Sequence, residues 1–433
     1  MTRAVPKNLR TLDPPATVRE IVARLERAGY ETWCVGGAVR DALLGQGHLD
    51  WDLATAATPQ QVMKVFKRTV PVGVEFGTVG VLDSDNTMHE VTTFRRDVKT
   101  DGRHAVVEFG VSLDDDLARR DFTINALAYH PQKEEFRDLY EGRLDLERGI
   151  VRAVGVAADR MREDRLRALR GIRFASRFGF HIEPDSWRAI KASAPHMGRL
   201  SAERVKQEIE KTMQQVAKPS IAFEWWRESG ALAALVPVLA AAPAERFEAL
   251  DFLQRETDGD TLDRLAMLFF GESERTATAT TKALKFSNAH SAWIAKLADT
   301  RHTLGAAMDA AMWAGSPSDA DIRRWVATVG RTRAGSFAEL TVALWRARLR
   351  SAPNNDVESR LGEFVTRATT IAYRDPIELA DLAIDGEDLS KAGIPPGPAL
   401  GKTLQLLLQH VIENPKANTR EALLAVAKNS PTG

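Results

Sequence analysis

Asp50 and Asp52 are the side chains of this sequence best suited to chemistry. They flank Trp51, and on a β-strand positions i and i+2 project from one face, so both carboxylates would address one site. Hard divalent cations such as Mg2+ take carboxylate oxygens. Such a pair suits nucleotidyl transfer, in which divalent ions activate an attacking 3′-hydroxyl and hold the triphosphate and the departing pyrophosphate. Asp-x-Asp alone is a weak signal, common in turns and solvated edges. Here a second feature precedes it. A short apolar strand at 32–35 runs into Gly36-Gly37, and a helix opens at once with Arg40 in its first turn. Glycines let a backbone approach phosphate closely, a helix N-terminus favours anions, and a guanidinium can grip phosphate through two hydrogen bonds. Glycine bend, arginine and carboxylate strand, in that order, predict a site that moves a nucleotidyl group. Glu90, on a strand expected at 88–94, offers either a third carboxylate or half of a cross-strand ion pair.

A second constellation lies further on. Seven arginines fall between 160 and 177, and Asp164, Arg167, Arg170 and Arg173 recur every third residue. On one helix that spacing makes a slowly winding stripe. One reading is a solvated face laced with ion pairs. The sharper reading rests on base edges. Cytosine and adenine each present an amino donor beside a ring-nitrogen acceptor, whereas uracil and guanine present the opposite polarity. A carboxylate at Asp164 accepts from the amino group and a guanidinium at Arg167 donates to the ring nitrogen. That pair would admit CTP and ATP and refuse UTP and GTP. Arg170 and Arg173 would then face the triphosphate or an RNA backbone.

The positioning elements follow from pattern. Residues 17–28 have helical apolar spacing, with Thr17 and Glu20 forming a capping box. A short helix at 38–44 is closed by Gly45, a strand covers 49–54, and Thr58-Pro59 opens the next helix. Strands at 76–82 and 88–94 are joined by a turn at 83–86. The polar stretch 95–104 has no period and predicts a mobile loop. Beyond 150 the strand signal fades. One long helix is expected over 158–178, with others at 202–216 and 220–232. Helical hairpins follow, broken near Pro243, Gly271, 315–317, Pro353 and 395–398. The fold class is therefore α+β, a mixed-sheet head followed by an all-helical remainder.

Composition bounds the rest. A chain of 433 residues is too long for one core. Lys plus Arg and Asp plus Glu number 59 each, so any attraction to nucleic acid must come from local patches. Arg323, Arg324, Arg346, Arg348 and Arg350 are candidates for phosphate contacts or for solvated surface, and Trp225-Trp226 reads as core. The single cysteine, Cys34, excludes an intrachain disulfide and a cysteine zinc site, and its apolar strand predicts a packed thiol. The scattered histidines suggest no metal site. No apolar run is long enough to span a bilayer and the N-terminus lacks the core of a signal peptide, so a cytoplasmic protein without a membrane partner is expected.

Several motifs together give the chain a family likeness. They are Gly-Gly-Ala-Val-Arg-Asp at 36–41, Asp-Trp-Asp at 50–52, Glu-Val-Thr-Thr-Phe-Arg at 90–95, Arg-Arg-Asp-Phe-Thr-Ile-Asn-Ala at 119–126, Glu-Asp-Arg-Leu-Arg at 163–167 and Asp-Gly-Glu-Asp-Leu at 385–389. With them the chain resembles the class II tRNA nucleotidyltransferases, the CCA-adding enzymes, close relatives of bacterial poly(A) polymerases. The resemblance implies a head of the DNA polymerase beta-like nucleotidyltransferase fold over 1–148. It implies a base-reading helical neck over 149–210, a body over 211–290 and a tRNA-binding tail over 291–433. It implies template-independent addition of CCA to tRNA 3′ ends from CTP and ATP, with Mg2+ and release of pyrophosphate. By position, Asp50 and Asp52 match metal-binding aspartates. Gly37, Arg40 and Arg120 match nucleotide contacts, Asp164 and Arg167 match the base-reading pair, and Arg170 and Arg173 match further nucleotide contacts. The segment after Phe94 is a residue or two shorter than the family's flexible loop and lacks its usual Tyr and Pro. A shortened loop marks relatives that add only two cytidines, so a CC-adding enzyme is the alternative. A poly(A) polymerase, expected to carry a basic C-terminal extension, and a catalytically silent RNA-binding module stand further off.

Overall fold

The computed structural model describes residues 12–47, 50–100, 105–254 and 256–429. The chain divides into two compact units, Met1–Glu208 with Ile221–Pro237, and Ile209–Ser220 with Val238–Gly433.

The first unit opens with α1 (Ala16–Arg27), β1 (Thr32–Val35), α2 (Gly37–Leu43), β2 (Asp52–Thr55) and α3 (Pro59–Val65). Then come β3 (Thr69–Gly73), β4 (Thr78–Leu82), β5 (Met88–Thr93), β6 (Arg95–Thr100), β7 (Ala105–Phe109), α4 (Leu113–Ala118), β8 (Leu127–His130) and β9 (Glu135–Asp138). Seven strands form one sheet in the order β3-β4-β5-β2-β1-β8-β9. β2 runs parallel to β5 and antiparallel to β1. Trp33, Val35, Ala54, Phe94, Leu113, Leu117 and Ala128 pack into one buried cluster. α1 buries Val18, Ile21, Val22 and Leu25, the spacing of one helix face.

The chain continues through α5 (Gly142–Arg148), β10 (Ile150–Val151), α6 (Ala157–Glu163), α7 (Leu166–Phe178), β11 (His181–Ile182), α8 (Pro184–Ser193), α9 (Ala202–Gln215) and α10 (Pro219–Glu228), of which Ile209–Ser220 belongs to the second unit. The second unit is helical, and its described residues contain no strand. Its longer helices are Asp258–Phe269, Asn288–Ala314, Asp319–Val329, Ala334–Ser351, Asn355–Arg374 and Pro398–Glu413. Those ending at Phe269, Ala314 and Ser351 stop at the expected breaks near Gly271, 315–317 and Pro353, and those ending at Val329, Arg374 and Glu413 stop at breaks that were not expected. Near the C-terminus Ile384, Leu389, Ile394, Leu407, Val411, Leu423 and Ala427 form a separate small core.

Five local expectations are corrected. α1 starts after Pro15, with no side-chain cap, so Thr17 lies inside the helix. β2 begins at Asp52, not at 49, and Asp50 precedes the strand. β3 was hidden by Pro71, which an edge strand tolerates because its missing N–H is not needed by a neighbour. Residues 95–104 do not form a loop throughout. β6 pairs antiparallel with β7 from Arg95↔Phe109 to Thr100↔Ala105, and both-sided polarity concealed the strand period. The tip at 101–104 lies outside the described residues. Finally, 158–178 is two helices. Asp164 is extended, at φ −147 and ψ 108. Its Oδ1 accepts from the Leu166 amide at 3.0 Å, a local bond that competes with helix continuation and starts α7.

Candidate active site

The carboxylates sit where three strands meet. Val35 of β1 pairs with Asp52, and Leu53 pairs with Val91 across the parallel β2–β5 ladder. One step back along that register sets Asp52 beside Glu90. Trp51 is only 4% exposed and anchors the segment, whereas Asp50 and Asp52 are both exposed. The Asp52 carboxyl is pushed up to about 6, first by lost hydration and then by the charges of Asp50 and Glu90, while Arg120 pulls it down. The group reaches solvent yet has protein crowded round it, and its open surface is what admits a ligand. An acidic group held this far above its ordinary range by lost hydration and neighbouring like charges is suited to a cation. Among the described residues no three or more His, Cys, Asp or Glu side chains close round one point. Two carboxylates that leave other positions to phosphate and water match the habit of Mg2+. Glu90 therefore adds its charge to the site without completing a protein-only ligand set.

The glycine bend carries a specific constraint. Gly36 has φ 70 and ψ −128, outside the range of ordinary side chains. A Cβ there would stand 2.6 Å from Arg120 Nη1. Arg120 is held by Asp116 Oδ2 at 3.1 Å and by the Asn125 carbonyl at 3.4 Å. Its buried Nε has no partner among the described residues. Asp116 is 1% exposed and also accepts from Arg119 Nη2 at 2.8 Å and, at 3.4 Å, from the Arg95 amide that opens β6. It fixes Arg120 against the bend from below, a supporting role that spacing alone did not show.

Arg40 departs from the expectation of a phosphate grip at an open turn. It is 4% exposed, donates to Asp41 Oδ1 at 2.7 Å and to Asn125 Oδ1, and lies against the rings of Phe174 and Phe178. Burial lowers its pKa, with Asp41 opposing. It ties α2 to α7 from inside.

The arginine helix departs in the same way. Arg170 donates to Asp121 Oδ2 at 2.7 Å and keeps its side chain 32% exposed, whereas Arg173 donates to Glu208 Oε2 at 2.8 Å and is buried. Burial would raise Asp121, but Arg170 and Asn125 outweigh it and hold the carboxyl at about 2. Arg167 is held by Glu163 Oε2 at 2.6 Å and by the Arg119 carbonyl at 2.8 Å. Asp164 Oδ2 accepts from Arg204 at 2.6 Å. The structure brings Asp164 and Arg167 to the same α6–α7 junction, each already paired. Arg204, Glu163, Asp121 and Glu208 went unnoticed as partners. The excess of arginine over acid near 160–177 was the available signal that carboxylates must come from elsewhere.

The model of the poly A polymerase head domain matches residues 32–152. The "Probable RNA and SrmB- binding site of polymerase A" model matches 179–242, and that of tRNA nucleotidyltransferase domain 2 matches 345–427. A CCA-adding enzyme of Streptococcus pneumoniae (strain CGSP14) is 33% identical over 418 residues, covering 94% of this chain and 95% of that protein. The chain belongs to the CCA-adding enzyme family. Another CCA-adding enzyme, from Geobacillus kaustophilus, is 34% identical over 419 residues, 94% of each chain. The crystal structure of the Bacillus stearothermophilus CCA-adding enzyme in complex with CTP superposes with a TM-score of 0.73 at 29% identity, covering 96% of this chain and 98% of that one. The Thermotoga maritima CCA-adding enzyme complexed with tRNA, at 20% identity and a TM-score of 0.66, shares the fold. The α+β class and its nucleotidyltransferase head are thus those of the CCA-adding family.

The remaining basic candidates are less free than their sequence suggested. Arg323 is 8% exposed, donates to the Ile412 carbonyl at 2.8 Å and faces Asp375. Arg324 pairs with Asp321 and Glu413, Arg346 with Glu358, Arg348 with Asp309 and Arg350 with Asp251. Trp226 is 1% exposed, as core should be, Trp225 is only half-buried, and Cys34 is buried with its thiol pushed up by burial. No helix of the described residues is long and apolar enough to cross a membrane.

Proposed function

We propose that this chain adds CCA to tRNA 3′ ends without a nucleic-acid template, using CTP and then ATP. The observation that carries the reading is the exposed Asp50/Asp52 pair at the glycine bend, in a chain matched by CCA-adding enzymes over 94% of its length. In each cycle the RNA 3′-oxygen attacks the α-phosphorus, the bond to the bridging oxygen breaks, and pyrophosphate leaves. Asp50 and Asp52 would hold Mg2+, which when bound lowers the pKa of the attacking hydroxyl and offsets triphosphate charge. Gly36 and Gly37 let the backbone approach the triphosphate, and Arg120 presents positive charge beside Asp52. Arg40, Arg170 and Arg173 act by fixing the walls of the site. Glu90 keeps the local field negative where the cation binds. Within this reading the head is 1–148, the neck 149–210, the body 211–290 and the tRNA-binding tail 291–433, and a cytoplasmic location follows from the substrates.

Asp164 and Arg167 would read the incoming base. For that, Asp164 must exchange Arg204 for an amino group of cytosine or adenine. Asp164→Ala is expected to reduce the preference for CTP over UTP by about 10- to 100-fold, the worth of one two-point base contact. Single-nucleotide incorporation with each of the four triphosphates measures it, and unchanged selectivity removes the assignment.

Product length tests the whole reading. A tRNA lacking its last three nucleotides, given CTP and ATP, should grow by three on a sequencing gel. Growth by two would select the CC-adding alternative. A long adenosine ladder would select the polymerase.

A further inference from the structure

The sheet face that bears Asp52 and Glu90 continues outward as an exposed apolar surface. Met88 precedes Glu90 by two residues on β5 and so shares its face. Gly80 of β4 pairs with Glu90, and Val70 of β3 pairs with Gly80. The alternate residues Val79, Val81 and Val91 are at most 1% exposed and form the core side. On the open side Val70, Val72 and Met88 are 37%, 43% and 40% exposed, and nearby Phe76 reaches 58%. Gly80 keeps this surface flat. A Cβ there would stand 2.7 Å from Met88 Sδ and 3.0 Å from Val72 Cγ2, so both side chains lie over bare backbone. With strands about 4.8 Å apart, Gly80 lies roughly 10 Å across the sheet from Asp52. Thr78 and Thr92, on the same face, bond each other at 3.0 Å and so satisfy one another.

We propose that Val70, Val72 and Met88, the last two lying over Gly80, form a stacking platform for the unpaired 3′-terminal nucleotides of the RNA substrate, an inference that rests on the nucleotidyl-transfer reading above. The attacking 3′-hydroxyl must come to Asp50 and Asp52, which places the terminal nucleotides on this face. Every base offers a flat apolar surface, and stacking on it is tolerant of sequence. The thioether of methionine packs well against such rings. The terminal base changes with each addition, so its seat must not read base edges, and edge reading needs polar groups that these side chains lack. Recognition of the incoming base is left to the neck.

Two full-length variants test the platform. Gly80→Ala pushes the flexible end of Met88 off the backbone, and Val72→Thr with Met88→Gln makes the surface polar at nearly constant volume. Each should raise KM for truncated tRNA by about tenfold, in line with the loss of one stacked base, with KM for CTP within about twofold. Circular dichroism melting should match the parent. A truncated tRNA ending in 4-thiouridine should crosslink to the peptide containing Met88. Unchanged KM for RNA in folded variants, or a change confined to CTP, would overturn the platform while parent activity kept the family reading intact. A dimer in sedimentation that the double variant dissociates without change in KM for RNA would assign the surface to a second copy and likewise overturn it. A parent enzyme unable to extend any RNA would sink both.

Discussion

Asp52→Asn is expected to lower nucleotide incorporation by about a thousandfold or more, the scale on which loss of a group that acts on transition-state charge is felt. The amide keeps the shape and removes the charge, and a neutral oxygen is a poor ligand for a hard dication. The residue opens β2 between Val35 and Glu90, on the exposed side of the strand, so the fold does not need its charge. Filter binding of tRNA should therefore be nearly unchanged. The same substitution carries a second readout with a definite sign. The Asp52 carboxyl sits at about 6 in the folded chain, against its ordinary 3.8. Between those values the folded state holds a proton that the unfolded state has lost, so stability falls as pH rises through the window. Above pH 6 the cost of the charge is complete, and below about pH 4 it vanishes. Asp52→Asn removes that cost and should melt higher than the parent at pH 7.5 by about 2 °C in the absence of Mg2+, a solvent-screened effect. The advantage should fade as pH drops from 6 to 4. Normal turnover, or a lower melting temperature with no pH dependence, would contradict the assignment.

The two halves of the site differed in legibility for a physical reason. Asp50, Asp52 and the glycine bend are defined by their own local geometry. A strand alternates its faces, and a glycine pair before a helix marks a bend, so residue type and spacing suffice. Even there the strand is shorter than its pattern, because Trp51 rather than a ladder bond secures Asp50. The arginines of α7 act through partners distant in sequence. Arg170 meets Asp121, Arg173 meets Glu208 and Arg177 meets Asp41. A helical period gives the stripe but cannot say which carboxylates fold against it, and an ion-paired wall looks the same in sequence as a phosphate-binding groove. The β6–β7 hairpin was illegible for another reason. It pairs with itself outside the main sheet, and its first strand, Arg-Arg-Asp-Val-Lys-Thr, has no apolar alternation to read. In the second unit Gly and Pro marked the helix ends well, because they act on the backbone directly.

Gly36→Ala should cost both stability and activity, and Gly37→Ala should separate them. At Gly36 a methyl group meets two obstacles. The backbone angles belong to a region nearly closed to other residues, at about 1–3 kcal/mol. The new Cβ would also stand 2.6 Å from Arg120 Nη1. That guanidinium cannot simply swing aside, since Asp116 and the Asn125 carbonyl hold it. Either the bend opens or Arg120 leaves Asp52, and each removes part of the nucleotide site. A fall of about 100-fold in kcat/KM for CTP is expected, the worth of one positioned donor, with melting lowered by several degrees. Gly37 is different. It opens α2 with ordinary helical angles, and a Cβ there has no closer neighbour than Arg40 Nη2 at 3.7 Å. Alanine should fold at least as well there, because it favours a helix. A loss of CTP affinity in Gly37→Ala with melting unchanged would then mean that the methyl group meets the triphosphate itself. Full activity in both variants would show that no phosphate approaches the bend, and the nucleotide would have to lie elsewhere on the sheet.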